Sequence, residues 1–203
     1  MYLLLLSCFL CFFVPVHAFS IKDKIFQGNP GDFIVMEQSK TYSLLVIRSR
    51  SPTSLILEEI GTSVLQSNWK EWINTGAPGF TARFTHILNK TKGSDAFLIQ
   101  LLSLPLIQTS REERKKIGPA PQNGEPDQRP LWNPPLIIEG KKRTTATFEV
   151  FKTTWPKDDS QASGCPISIY FDAKRPNFPF PYWIEIKSPH YALNIRAIDS
   201  GRL

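Results

Sequence analysis

Beyond the first eighteen residues, the side chains that could do chemistry are two histidines, one cysteine and the acidic pairs Glu58-Glu59 and Asp158-Asp159, and no spacing among them forms a reactive pattern. His86 sits in a period-two run with Phe80, Ala82, Phe84 and Leu88, so it is expected to be a hydrogen-bonded histidine on an apolar face. His190 follows Ser188-Pro189 in a turn and reads as solvated. A serine, His190 and Asp199 could be drawn as a triad. No G-x-S-x-G run is present, however, to hold the nucleophile on a strained elbow. Zinc needs three or four ligands, and His86, His190 and Cys165 share no ligand spacing. Both Gly-rich phosphate signatures are absent. Glu58 and Glu59 are neighbours on a strand, so they point to opposite faces and cannot act jointly on one bond. Asp158-Asp159 reads as a solvated loop. The sequence therefore assigns no catalytic residue, no cofactor and no metal.

Binding is the better prospect. In residues 175–183, RPNFPFPYW, Phe178, Phe180, Tyr182 and Trp183 are interleaved with Pro176, Pro179 and Pro181. Prolines stiffen such a segment toward an extended backbone, and aromatic rings offer large contact area at low entropy cost. These four residues, with Trp132, are the candidate ligand- or partner-binding residues. The competing reading is that the rings cover the open end of a sheet, and Trp69 and Trp72 share that ambiguity.

The elements that would position these groups are mostly strands. Period-two alternation marks residues 31–37, 42–50 and 54–61, the last two joined by the turn Ser51-Pro52-Thr53. Residues 182–187 and 191–198 form a second hairpin around Ser188-Pro189-His190. Its dry face carries Ile184, Ile186, Leu193 and Ile195, and its wet face Glu185, Lys187, Asn194 and Arg196, as in an antiparallel sheet. Residues 80–88, 144–152 and 166–172 add further strands. Helix is predicted in three places: a short one capped by Ser67, a longer apolar one over residues 94–105, and a short one opened by Ser110-Arg111-Glu112-Glu113 in capping-box form. Residues 118–135, GPAPQNGEPDQRPLWNPP, hold six prolines and are predicted as a long loop. The expected fold is α+β and β-rich: a curved antiparallel sheet of about seven to nine strands packed on one longer apolar helix, with two short helices.

An address comes from residues 1–18, MYLLLLSCFLCFFVPVHA. The apolar run is too short to span a bilayer and ends on Val16-His17-Ala18, which reads as a secretory signal cleaved before Phe19. It departs from the usual pattern in having no Lys or Arg before Leu3. An uncleaved N-terminal anchor is the other reading, and a lipoprotein site at Cys8 is disfavoured because the apolar run continues past it. Cleavage would leave residues 19–203 as a single β-rich domain with Cys165 as its one thiol, so no internal disulfide could form. The leader carries no charge, so the net +6 belongs wholly to that domain. The densest basic runs, 111–116 and 141–143, have no interleaved aromatics, which excludes a nucleic-acid surface and leaves anionic lipid or envelope polyanions as a secondary attraction.

Residues 177–201 (NFPFPYWIEIKSPHYALNIRAIDSG), with residues 74–79 (NTGAPG) and 56–60 (ILEEI), resemble an uncharacterised group of exported proteins from chlamydia-like Gram-negative bacteria. The resemblance implies a periplasmic or envelope address and no known chemistry. The functional expectation is a non-enzymatic envelope or periplasmic protein that binds a lipid, a lipidated protein or an envelope partner, touching the membrane at most peripherally once the signal is cut, with secretion as the alternative address. A structural or assembly partner acting through residues 175–183 and an extracytoplasmic hydrolase are the alternatives.

Overall fold

The computed structural model describes residues 19–75, 82–89, 101 and 104–203. Nine strands form one antiparallel sheet: β1 (Asp32–Gln38), β2 (Thr41–Arg50), β3 (Ser54–Thr62), β4 (Ala82–Asn89), β5 (Ile107–Gln108), β8 (Phe148–Thr154), β9 (Pro166–Asp172), β10 (Trp183–Lys187) and β11 (Ala192–Arg202). Two more, β6 (Leu136–Ile138) and β7 (Lys141–Arg143), form a separate hairpin. The order across the sheet is β4-β3-β2-β1-β11-β10-β9-β8-β5. The chain thus starts at the centre, meanders out to β4, crosses to the opposite edge at β5, and meanders back to close on its own first strand. Asp32 lies opposite Arg202, a pairing that spans nearly the whole domain. Both predicted hairpins form, as β2–β3 and β10–β11.

Helix is confined, among the described residues, to α1 (Ile21–Ile25), α2 (Trp69–Thr75) and Leu101. This corrects the α+β expectation: the domain is mostly β, and no longer apolar helix is present among the described residues. The expected helix over 94–105 lies almost wholly outside those residues. The Ser110 helix does not form. Ser110 N–H does donate to Glu113 Oε2 at 3.1 Å, but no apolar face follows to hold a helix down. Lys116 bonds instead to Asp127 and bridges to Leu131, so the segment is pinned to the proline-rich loop. In α2 the cap is Asn68 rather than Ser67, its Oδ1 accepting from Glu71 N–H at 3.2 Å. Helix α1 is opened by a full capping box between Ser20 and Asp23.

Both faces of the β1–β3 half are covered. Phe33, Val35, Leu44, Val46 and Ile60 point to one face and pack under Trp69, Trp72 and Ile73 of α2. Ile34, Met36, Ile47, Leu55 and Leu57 point to the other, into the larger core that holds Ile21 and Ile25 of α1 and most of the β8–β10 side chains. Alternation along each strand makes this division. Full burial of each such side chain is worth roughly 1.5–3 kcal/mol.

Candidate functional site

The register of β1 to β4 builds the floor of a cleft on the α1 face. Ile34 lies opposite Leu45, Leu45 opposite Glu59, and Glu59 opposite Phe84, giving one row across four strands. The next row is Met36, Ser43, Gly61 and Ala82, whose side chains beyond Met36 are small and take up little volume on the sheet. Above this floor stand Ile21 and Ile25 of α1, Leu101, Phe180 and Pro181. They enclose a cleft of about 650 Å³, with Ile184 and Ile195 completing its base. That volume lies within the roughly 300–1,000 Å³ usual for small-molecule sites.

The described lining is mostly apolar, with polar groups in two places. Gln38, Ser39, Thr41 and Ser43 come from the β1–β2 hairpin, and Glu59 and His86 from β3 and β4. Leu57 is the residue directly opposite His86, so Glu59 reaches His86 along the diagonal, within range of a long side chain. His86 Nε2 and Glu59 Oε2 are 3.0 Å apart, both partly buried. The exposed ring of Phe84 stands beside His86, centroids 6.3 Å apart.

The adjacent acid goes the other way. Glu58 points to the opposite face and holds both Arg48 and Arg83. Arg48 reaches it because the β2–β3 register slips between Ile47 and Ser49, and such a bulge re-aims the side chain. Burial works to raise the Glu58 pKa, but hydrogen bonds from Arg83 and Arg48 outweigh it and hold the carboxyl below its ordinary value. Cations therefore gather behind the cleft floor, and among the described residues no Lys or Arg lines the cleft itself.

The sequence-predicted binding residues fall in two places. Phe178, Phe180 and Tyr182 are buried, and only Phe180 reaches the cleft. Tyr182 is fully enclosed, its hydroxyl accepting from Arg175 at 2.9 Å and 2.8 Å from Ser200 Oγ. Burial pushes its pKa up to about 12, against the opposing effects of Arg175 and Ser200. Trp183 and Trp132 are half-buried and stack edge-on at 5.2 Å on the far face of β10, under the proline-rich loop and away from the cleft. Sequence reasoning missed the cleft residues Leu45, Glu59 and Ile195. The alternation identified their faces, but only the register shows that they share a cavity.

The remaining reactive groups stay apart. Cys165 is buried, with Sγ 3.8 Å from Gln161 O. His190 lies in the β10–β11 turn. The Asp158 carboxylate accepts from Trp155 Nε1 at 2.9 Å and from Ser160. Among the described residues no group of His, Cys, Asp and Glu could hold a metal. No described helix is long and apolar enough to cross a membrane.

Residues 88–144 match the family model described as CT021 protein. No curated protein matches. Among solved structures, the chain is similar to the hypothetical protein CT021 from Chlamydia trachomatis, with a TM-score of 0.61 and 22% identity over 91% of this chain and 93% of that one. Such identity speaks for the fold alone. Together the two matches support the resemblance to an uncharacterised chlamydial family seen in residues 56–60, 74–79 and 177–201, and they bring no activity with them.

Proposed function

We propose that this domain is an exported, non-enzymatic binding protein of the periplasm or cell envelope that takes a hydrophobic ligand into the cleft between the β1–β4 face and α1. One observation carries the reading: the described lining of the cleft of about 650 Å³ is mostly apolar, with a few polar groups from the β1–β2 hairpin and the Glu59–His86 pair. Ligand sites commonly combine these features, apolar lining for affinity and a few convergent polar groups for orientation. The leader at residues 1–18 supports the envelope address.

Catalysis is the weaker reading because no nucleophile accompanies Glu59 and His86 among the described residues. Among the described residues no serine, threonine or cysteine hydrogen-bonds His86. Ser43, the cleft serine on β2, is two strand spacings from β4, roughly 10 Å. A general base must lie within hydrogen-bond reach of the group it activates.

The test is titration of the domain with a fluorescent lipid probe. Saturable uptake, reversed by unlabelled envelope lipid, is expected. A pure, folded domain that takes up no probe would refute the reading.

A further inference from the structure

Resting on the cleft reading above, we propose that the cleft selects single-chain amphiphiles whose head donates hydrogen bonds and carries no negative charge, a long-chain alcohol or a monoacylglycerol, over fatty acids of equal length. The selecting group is the Glu59–His86 pair. His86 Nε2 engages Glu59 Oε2 at 3.0 Å, and Oε1 has no hydrogen-bond partner among the described residues. A hydroxyl head placed there donates to Oε1 while its chain lies along the Ile34–Leu45 floor toward Ile184 and Ile195.

A carboxylate head meets the opposite situation. It would approach the Glu59 carboxylate in a partly desolvated site, and an unpaired buried charge is costly. His86 is the one cleft side chain among the described residues that could carry a positive charge, and Glu59 already occupies it. The nearest guanidinium groups belong to Arg48 and Arg83, and strand alternation puts them behind the floor, tied to Glu58. Gln38, Ser39, Thr41 and Ser43 add neutral hydrogen-bonding capacity that suits a hydroxyl and does not neutralise an anion.

The experiment uses Nile red, a neutral apolar dye, displaced at pH 7.5 by 1-dodecanol, 1-monolauroylglycerol or dodecanoate. The two hydroxyl ligands are expected to displace it at about tenfold lower concentration than dodecanoate, a difference in head group alone. In Glu59→Gln, which keeps size and polarity, that gap should close to within about threefold. The urea midpoint of the variant confirms that it is folded. Equal or better displacement by dodecanoate, an undiminished gap in Glu59→Gln, or displacement by none of the three would each overturn the head-group proposal while leaving the cleft reading in place. Failure of Nile red itself to bind would overturn both.

Discussion

Glu59 and His86 meet 3.0 Å apart across one strand boundary, on the face of the sheet from which Glu58 turns away. A two-residue acidic run is thus divided between two tasks by the pleat alone. Glu58 pins two arginines outside the cleft, and Glu59 lines the cleft with His86.

Filling the floor should weaken binding without unfolding the domain. Leu45 is half-buried between Ile34 and Glu59 and faces the empty volume. Leu45→Trp is expected to weaken lipid-probe affinity by about tenfold or more, with a stability change below about 1.5 kcal/mol because the ring enters open space. Probe titration and urea denaturation, run on the same sample, separate the two effects.

Glu58→Gln should destabilise the domain by about 1–3 kcal/mol at pH 7, since it leaves Arg48 and Arg83 without their carboxylate. The folded pKa of Glu58 lies below its unfolded value. Its contribution is therefore complete above about pH 4.3 and is lost as pH falls through the lower folded value. Urea midpoints at pH 7 and at progressively lower pH should show wild type and variant converging in acid. A difference that stays constant would show that Glu58 acts through packing instead.

Tyr182 has the opposite sign. Its folded pKa is raised to about 12, so its stabilisation is complete below about pH 10 and is lost as pH rises toward 12. Wild type should lose about 2–3 kcal/mol across that window from this group. Tyr182→Phe, missing the bonds to Arg175 and Ser200, should be less stable by about 1–2 kcal/mol at pH 7 and fall less steeply in alkali.

The β1–β2 turn holds Ser39 at φ 49° and Lys40 at φ 67°, the left-handed region that favours glycine. Lys40→Gly should relieve the cost at one of these positions and stabilise the domain by about 1 kcal/mol. Ser39, which lines the cleft, is untouched by this change, so probe affinity should hold while the urea midpoint rises.

Local signals carried much of the sheet. Residues 166–172 alternate and end as β9, and the turns at 51–53 and 188–190 close hairpins because proline and hydroxyl groups favour reversal there. The central pairing of β1 with β11 was not legible, since nothing local in Asp32 announces a partner at Arg202. Capping chemistry misled at Ser110 and was overlooked at Ser20. The two sequences share the same form, but Ile21 and Ile25 give the second an apolar face to bury, and the 111–116 run has none. The aromatic segment was conspicuous in the sequence, yet three of its rings turn inward. The cleft stayed hidden because its floor is a row across four strands, visible only once Ile34, Leu45, Glu59 and Phe84 are in register.

Methyl-resolved NMR during lipid-probe titration tests the cleft most directly, because the two faces of the same strands act as each other's control. Ile34, Leu45, Ile184 and Ile195 line the cleft, whereas Val35, Leu44 and Val46 lie in the opposite core under α2. Saturable shifts at the first set with the second unmoved are predicted. Shifts confined to the second set, or none in the cleft at probe saturation, would contradict a ligand site there.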